Sequence, residues 1–288
     1  MTEETGNRTV LITGASSGFG RDTALLFASR GWNVVATMRN PADAGELTEH
    51  ERVLVTRLDV QDVASIEQAV TAGIARFGRI DVLINNAGFG LFGLFEATSR
   101  DKIREQFDVN LFGLMDVTRA VLPHFRSNKR GLVINISSGA GIFGLPMISL
   151  YNASKFALEG FSESLSYELL SQNIVVKIIE PGGVTSTGFS QRSASEAEAT
   201  PVLADYAPFF AATMRLFDTL RGQRLASSRE VAEVIFTAAT DGSRQLRYVA
   251  TKDIEPLVQM RRETSEAQYM AMMRSRFLVD TEADTEKA

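Results

Sequence analysis

The sequence predicts a doubly wound α/β fold, in which a parallel sheet of about seven strands carries helices on both faces. Short apolar runs alternate with helical patterns from residue 8 to about residue 250. The runs Val82-Leu83-Ile84 and Val175-Val176-Lys177-Ile178-Ile179 are apolar at nearly every position, as strands covered on both faces should be. No linker rich in Pro, Gly or Ser interrupts the alternation, so we expect one domain over residues 1–288 with right-handed crossovers.

The elements follow one another in a regular order. The first strand is the β-branched run Thr9–Thr13, and further strands are predicted near 33–37, 53–58, 80–84, 132–136, 174–179 and 246–250. Helices are predicted between them at about 19–30, 62–77, 100–126, 150–171 and 228–240. Two segments lie outside this alternation. They are an aromatic-rich segment near 188–226 and a C-terminal extension from about residue 251, which carries methionines at helical spacing.

The composition excludes several classes of function. A hydrophobic content of 44% and a charged content of 23% are typical of a globular protein, and a net charge of −5 disfavours a nucleic-acid partner. The absence of cysteine excludes disulfides and thiolate chemistry, and two distant histidines do not form a metal site. The segment Met1–Asn7 is unlike a secretory signal, and no apolar run approaches the ~18 residues of a membrane span. We therefore expect a cytoplasmic protein with no metal and no membrane partner.

A glycine-rich loop follows the first strand. Gly14-Ala15-Ser16-Ser17-Gly18-Phe19-Gly20 leads directly into a predicted helix. Glycines allow the backbone to approach a pyrophosphate, and the helix N-terminus supplies N–H donors and positive potential. This strand–loop–helix context indicates a dinucleotide site with its pyrophosphate over the loop. A glycine-rich turn that binds nothing is the alternative.

A tyrosine and a lysine stand four residues apart within a predicted helix, Tyr151 and Lys155. Positions i and i+4 share one helix face, so the ammonium can lie beside the phenol and bring its pKa down from ~10. Such a tyrosine can exchange a proton with a carbonyl or alcohol oxygen, which is general acid–base catalysis. A solvated helix face is the alternative when the pair is considered alone.

Further motifs stand in a fixed order with these two. They are Asn85-Asn86-Ala87-Gly88 after a strand, Asp108-Val109-Asn110 in a helix, Ile134-Asn135-Ile136-Ser137-Ser138 at a strand end, and Pro181-Gly182-Gly183-Val184. In their order and spacing the chain resembles the short-chain dehydrogenase/reductase family over about residues 8–250. The similarity is to its hydroxysteroid and retinol dehydrogenase-like branch. It implies a Rossmann-like fold and nicotinamide-dependent chemistry on a small-molecule alcohol or carbonyl substrate.

The resemblance implies a catalytic tetrad of Asn110, Ser138, Tyr151 and Lys155. Ser138 would bind the substrate oxygen, and Tyr151 would exchange its proton. Lys155 would bind the nicotinamide ribose, and Asn110 would hold a water that links the lysine to solvent. The residues that it implies for cofactor binding are Gly14, Ser16, Ser17, Gly18, Phe19, Gly20, Arg39, Asp59, Val60, Asn86, Ala87, Gly88, Tyr151, Lys155, Pro181, Gly182, Val184 and Ser186. Asp59 would meet the adenine amine, or would instead cap the helix that begins near Val63.

The end of the second strand predicts a preference for NADP(H), while NAD(H) stays open as the alternative. An NAD site usually has an acidic residue about 20 residues after the glycine loop. Here the expected position is the neutral Met38, followed by Arg39. A guanidinium pairs well with a 2′-phosphate, and Ser16 or Ser17 can add a hydroxyl donor. Arg39 as a solvated turn residue is the competing interpretation.

The substrate is predicted to be lipophilic because apolar residues cluster in segments that converge on the active-site side in this family. They are Phe89, Leu91, Phe92, Leu94, Ile142, Phe143, Leu145, Met147 and the aromatic residues of the 188–226 segment, which holds the substrate lid in the family. Packing of these residues against one another is the alternative. A small hydroxy or amino acid, met by Arg192, Arg215 or Arg221, is the competing substrate class.

Two other functions remain open at this point. A non-catalytic cofactor-binding module would be expected to have a damaged tetrad, whereas all four positions are filled. A sugar-nucleotide epimerase or dehydratase shares the tyrosine–lysine pair, but typically has a Gly-x-x-Gly-x-x-Gly loop and a larger C-terminal domain. The resemblance also implies a homodimer or homotetramer that uses the helices around Asn110 and Tyr151.

Overall fold

A computed structural model describes residues 7–184, 203–221 and 225–279. The strands in this part of the chain are β1 (Thr9–Ile12), β2 (Asn33–Met38), β3 (Val53–Arg57), β4 (Val82–Asn85), β5 (Gly131–Ile136), β6 (Ile174–Glu180) and β7 (Arg247–Val249). They form one parallel sheet in the order β3-β2-β1-β4-β5-β6-β7. The order reverses between β1 and β4, and ligands of such sheets bind at this point.

The α-helices lie between and after the strands. They are α1 (Gly18–Ser29), α2 (Val63–Phe77), α3 (Arg100–Phe107), α4 (Leu114–Ser127), α5 (Ser149–Leu170), α6 (Ala207–Arg221), α7 (Ser228–Thr240), α8 (Glu255–Glu263) and α9 (Glu266–Phe277). Short 3₁₀ segments cover Pro41–Glu49, Gly139–Gly141 and Ala204–Tyr206. No helix of the described ranges is both long enough and apolar enough to cross a membrane.

Alternate residues of each strand face opposite layers of helices. On β1, Val10 and Ile12 pack into a core with Phe27 of α1 and Ile235 of α7. Leu11 between them points to the other face, where α2, α4 and α5 supply the core. Because every inner strand is covered on both sides, its residues are apolar on both faces, which confirms the predicted doubly wound sheet.

Local signals set the ends of several helices. Asp62 caps α2 by accepting a hydrogen bond from the Ser65 amide, and Gly78 ends that helix at a positive φ of 80°. Ser227 and Glu230 form a capping box at the start of α7. Ser265 forms another with Gln268 at the start of α9.

The predicted helix over 100–126 is divided in the structure. A π-helical turn over Asp108–Gly113 separates α3 from α4. A Cβ on Gly113 would lie 2.7 Å from Cβ of Val60, so the turn packs directly on the segment after β3. Such turns occur often at functional sites, and this one contains Asn110.

The C-terminal extension folds back onto the sheet end. Helices α8 and α9 bury Leu257, Tyr269 and Met273 in an apolar cluster with Ile142 and Phe143 of the loop before α5. The methionines in this extension are therefore packing residues, as their helical spacing indicates.

Candidate active site

The glycine-rich loop and the Asn-Asn-Ala-Gly turn hold each other in place. Nδ2 of Asn86 donates to the carbonyl oxygens of Thr13 at 2.9 Å and Gly14 at 3.1 Å. The Thr13 hydroxyl accepts from the amides of Asn86 at 2.9 Å and Ala87 at 3.0 Å. A Cβ on Gly20 would lie 2.3 Å from the Gly14 oxygen, so only glycine fits there. Segments more than 70 residues apart in sequence thus form one rigid floor.

The N-terminus of α1 is suited to an anion. Gly18 begins the helix with a φ of 54°, and the preceding Ser17 makes no side-chain capping bond. The first turn contains no acidic residue, so nothing there offsets the positive end of the helix dipole. Backbone N–H groups and positive potential at a glycine loop are what a pyrophosphate requires. The residues fit the predicted dinucleotide.

A cleft of about 420 Å³ opens at the carboxyl ends of the strands, across the point where their order reverses. It is bordered by nearly all of the predicted cofactor residues, namely Gly14, Ser16, Ser17, Gly18, Phe19, Arg39, Asp59, Val60, Asn86, Ala87, Gly88, Tyr151, Lys155, Pro181, Gly182 and Val184. Gly20 lies behind the lining, where it permits the close approach of Asn86. Ser186 lies outside the described residues.

The end of the cleft beside β2 has an arginine at its mouth. Met38 is 2% exposed and belongs to the core, so it offers no polar group to a ribose. Arg39 is exposed, lines the cleft and makes no hydrogen bond or ion pair within the described ranges. Asp59 lines the same end and accepts a hydrogen bond from the Gln61 amide at 3.1 Å. Capping of α2 falls to Asp62, which leaves Asp59 facing the cleft.

Ser138, Tyr151 and Lys155 meet at the other end of the cleft. The Tyr151 hydroxyl is hydrogen-bonded to Ser138. Nζ of Lys155 donates to the Ile136 carbonyl at 2.8 Å and lies 5.8 Å from the centre of the tyrosine ring. A serine at a strand end, a phenol bonded to it and an adjacent amine form an acid–base arrangement.

Burial determines the ionisation of this group. It raises the pKa of Tyr151 to about 12, although the hydrogen bond with Ser138 acts to lower it. Burial also lowers the pKa of Lys155 to about 8, while the charge of Glu159 acts to raise it. The lowering of the tyrosine pKa by Lys155, expected from their spacing, is therefore absent from this structure. The cost of placing a phenolate in a buried position outweighs the stabilisation that the Ser138 hydroxyl would give it.

Asn110 supports the site without lining the cleft. Its Oδ1 accepts from the Phe89 amide at 3.0 Å, and its Nδ2 donates to the Phe89 carbonyl at 2.9 Å and to Oγ of Ser154 at 3.2 Å. It is 1% exposed. The side chain thus clamps the segment after β4 to α5, one residue before Lys155.

Several residues predicted to line a substrate pocket are core residues instead. Phe143 is 2% exposed and Ile142 is 8% exposed, and both pack against α8 and α9. Phe89 does border the cleft. Phe92 meets Phe217 of α6 edge to face, with 5.6 Å between ring centres. The sequence could not show which of these residues are core and which border the cleft, because that depends on where the C-terminal extension packs.

The predicted lid is described only in part. Residues 185–202 and 222–224, including Arg192, lie outside the described ranges. The remainder is mainly α6, which carries Arg215 and ends at Arg221. Near its start the Tyr206 hydroxyl donates to Oε2 of Glu96 at 3.1 Å, so this region contacts the segment after β4.

The structure also reveals polar residues that sequence reasoning missed. Nδ2 of Asn85 donates to Oγ1 of Thr118 and to Oδ1 of Asn135, each at 2.9 Å, and Nδ2 of Asn135 donates to Oγ of Ser162 at 2.9 Å. This buried row joins β4 and β5 to the helices behind them. A signal was available, since each asparagine interrupts an apolar strand run and the two pair in register. The cleft lining that was predicted neither as catalytic nor as cofactor-binding comprises Met38, Leu58, Gln61, Phe89, Glu105, Val109, Ile136 and Ser137.

Comparison with known proteins agrees with this geometry. The sequence model of the family described as short chain dehydrogenase matches residues 8–198. Human 17-beta-hydroxysteroid dehydrogenase type 1 is 35% identical over 294 residues, covering 96% of this chain and 88% of that protein. The 3-ketodihydrosphingosine reductase of Bacteroides thetaiotaomicron is 40% identical over 210 residues, covering 73% and 75%. Human retinol dehydrogenase 8 is 41% identical over 189 residues, covering 62% and 60%.

Solved structures share the fold with either nicotinamide cofactor bound. A short chain dehydrogenase/reductase from Burkholderia phymatum in complex with NAD superimposes with a TM-score of 0.78 at 26% identity, covering 93% of this chain and 97% of that chain. The closed form of a serine dehydrogenase complexed with NADP+ gives 0.74 at 28% identity, covering 86% and 96%. The fold therefore accommodates both nucleotides, and the choice between them rests on side chains.

Proposed function

The chain belongs to the short-chain dehydrogenase/reductase family, and we propose that it interconverts a lipophilic secondary alcohol and its ketone or aldehyde with NADP(H). The observation that carries the chemistry is the hydrogen bond between Tyr151 and Ser138 beside Lys155, at one end of a cleft fitted to a dinucleotide. An intact acid–base group argues against a non-catalytic binding module. The glycine-loop spacing argues against a sugar-nucleotide epimerase.

The protein's own residues would handle the substrate oxygen and its proton. The cofactor, when bound, supplies or accepts the hydride at the substrate carbon. In the direction of reduction, the Ser138 hydroxyl holds the carbonyl oxygen, and Tyr151 donates its proton to that oxygen as the alcohol forms. A pKa of about 12 keeps the phenol protonated at neutral pH, which suits a proton donor. Lys155 replaces the proton afterwards, and Asn110 would hold a water that links the lysine to solvent.

The cofactor contacts follow from the lining of the cleft. Gly14 to Gly18 and the N-terminus of α1 would hold the pyrophosphate, and Asp59 would meet the adenine. Lys155 would bind the nicotinamide ribose, and Pro181 and Gly182 would lie beside the nicotinamide. The preference for NADP(H) rests on Arg39, an exposed guanidinium at the mouth of the cleft where Met38 provides no carboxylate.

The proposed substrate class rests on similarity and on part of the apolar lining. Three relatives are named for a hydroxysteroid, a ketosphingoid base and retinol, all largely hydrocarbon molecules. The Phe92–Phe217 pair, which joins the segment after β4 to α6, adds apolar side chains, and Phe89 borders the cleft although it is 1% exposed. We assign the described residues 203–206 and helix α6 to the substrate lid.

Self-association is proposed to use the long helices. Phe112 in the π-helical turn is 52% exposed, and Phe156 on α5 is 43% exposed. Pairing of two copies would remove both rings from water. Light scattering should give a dimer or tetramer for the native protein and a smaller species for Phe156→Glu; an unchanged mass would refute this interface.

A cytoplasmic location stays a prediction from the sequence.

The variant Tyr151→Phe tests the catalytic proposal. It removes the proton donor and keeps the ring, so turnover of an accepted ketone should fall by roughly 10²–10⁴-fold. Nucleotide affinity, measured by fluorescence of the reduced nicotinamide, should stay unchanged because the glycine loop is untouched. The matched control is Tyr167→Phe on the same helix, where the side chain is 72% exposed and no effect is expected. Near-native turnover by Tyr151→Phe would show that the mechanism is wrong.

A further inference from the structure

A chain of ion pairs runs behind the catalytic lysine, from the C-terminal extension to α5. Nη2 of Arg262 on α8 donates to Oε1 of Glu180, at the end of β6, at 2.6 Å. Nε of Arg247 on β7 lies 3.7 Å from the same oxygen and donates to Oε2 of Glu159 on α5 at 2.9 Å. Nη2 of Arg247 also donates to Glu163 at 2.5 Å. We call this set the α8–α5 ion-pair chain.

The two inner acids of the chain are buried and incompletely paired. Glu180 is fully buried, and Glu159 is 7% exposed. Within the described ranges, Oε2 of Glu180 and Oε1 of Glu159 are buried with no hydrogen-bond partner. Burial raises the pKa of Glu180 to about 7, and the charge of Glu159 adds to that rise, while Arg262 and Arg247 oppose it. The charge of Glu180 thus depends on the two arginines beside it.

Glu159 lies one helical turn after Lys155, on the same face of α5. Gly141 allows the acid to approach the strand end that carries the serines. A Cβ on Gly141 would lie 2.7 Å from Oγ of Ser137, 3.0 Å from Cγ of Glu159 and 3.2 Å from the Lys155 carbonyl oxygen. The charge of Glu159 opposes the effect of burial on the pKa of Lys155. Glu159 is therefore an acid one turn from the lysine on α5, and unlike the lysine it does not line the cleft.

We propose that Glu159 is a positioning residue that keeps Lys155 protonated, and that Arg262, Glu180 and Arg247 determine how strongly it does so. The C-terminal extension is thereby coupled to the charge at the active site through the α8–α5 ion-pair chain. The consequence for turnover rests on the proposed role of Lys155. The ionisation itself is a property of the free protein and needs no substrate.

Removal of opposite charges from the chain should move Lys155 in opposite directions. Glu159→Gln takes a negative charge from beside the ammonium, so the pKa of Lys155 should fall by roughly one pH unit. Arg247→Gln leaves the negative charge of Glu159 unneutralised, so that pKa should rise. The other ionisable groups that line the same cleft are Tyr151 and Glu105, with Asp59 and Arg39 at its far end, and all four are intact in both variants.

Carbon-13 NMR of the free protein measures this directly. The sequence contains six lysines, Lys102, Lys129, Lys155, Lys177, Lys252 and Lys287. Labelling at Cε gives one titrating signal for each, and the signal missing from Lys155→Met identifies Lys155. The matched controls are Glu168→Gln, an exposed acid on the same helix, and Arg244→Gln, an exposed arginine just before β7. Neither control should move the Lys155 signal.

The double variant Glu159→Gln/Arg247→Gln removes the pair together and should return the titration midpoint of Lys155 toward its native value. General damage to the fold would not produce opposite shifts and their cancellation. An unchanged midpoint in Glu159→Gln, or shifts of the same sign in both single variants, would overturn the proposal. If Glu159→Gln does not fold, Arg247→Gln decides alone, and the absence of an upward shift refutes the coupling. A lysine that shifts as expected in a protein without reductase activity would separate this inference from the proposed function.

Discussion

At the scale of single residues, the floor of the cleft depends on close contacts between backbone and side-chain atoms that leave no room for a Cβ at Gly20. The amide of Asn86 reaches the Gly14 carbonyl at 3.1 Å because Gly20 has no Cβ. The side chain of Asn110 similarly holds the segment after β4, because it is hydrogen-bonded to both the amide and the carbonyl of Phe89. These hydrogen bonds set the width of the cleft. Even a substitution that adds one methyl group at them should therefore weaken nucleotide binding.

We predict that Gly20→Ala destabilises the protein by about 1–3 kcal/mol and weakens nucleotide binding. The added methyl would overlap the Gly14 oxygen and Nδ2 of Asn86, which forces the loop apart. The matched control is Gly160→Ala in the exposed middle of α5, where a methyl meets nothing within 4 Å. That variant should be more stable by about 0.5–1 kcal/mol. Urea unfolding and nucleotide titration test both, and equal behaviour of the two variants would contradict the proposed packing.

A second prediction concerns Arg39 and the choice of nucleotide. Arg39→Ala should lower kcat/KM with NADP(H) by roughly 10- to 100-fold, which is the loss of hydrogen bonds from a cation to a phosphate. The value with NAD(H) should change little, because NAD has no 2′-phosphate. Arg126→Ala, an exposed arginine on α4, serves as the control. Equal kcat/KM for both cofactors in the native protein would count against the NADP assignment.

At the scale of elements, the alternation of strands and helices was predictable because the inner strands are apolar at most positions and several of the loops after them carry a recognisable motif. The π-helical turn at Asn110 was not, since it is stabilised by contacts with Val60 and Phe89 that are distant in sequence. Helices α8 and α9 carry local signals, such as the Ser265 capping box, but their docking site is a tertiary property. The cleft could be predicted from motifs. The substrate side could not, because tertiary packing decides which apolar side chains are buried in the core and which border a pocket.

The variant Phe143→Ala tests whether Phe143 is a core residue or a pocket residue. The native ring is 2% exposed against the cluster of α8 and α9, so Phe143→Ala should cost about 3–5 kcal/mol of unfolding free energy. Phe95→Ala is the control, because that ring is 64% exposed and its loss should cost little. Urea unfolding measures both. A small cost together with faster turnover of bulky substrates would instead identify Phe143 as a pocket residue.

At the scale of the whole molecule, the acid–base group and the apolar segments beside it lie on different elements. Ser138, Tyr151 and Lys155 lie at the carboxyl ends of the strands, whereas the C-terminal extension packs on the loop before α5 and Phe92 after β4 contacts Phe217 of α6. Chemistry and substrate choice are therefore separable. The named relatives act on lipophilic molecules, while one structural neighbour is a serine dehydrogenase, so the same frame serves both classes.

The last prediction separates these two substrate classes. Along a series of ketones of rising apolar size, kcat/KM should increase until the enclosed space is filled. Each buried methylene contributes up to about 0.8 kcal/mol, roughly a fourfold gain. Serine and small hydroxy acids, assayed as alcohols in the oxidative direction with the same cofactor, should be poor substrates. Phe92 and Phe217 would lose their contact in Phe92→Ala, which should flatten the series while nucleotide affinity stays unchanged. A flat series in the native protein, with serine or a hydroxy acid far better than any ketone, would refute the lipophilic assignment and leave the catalytic group intact.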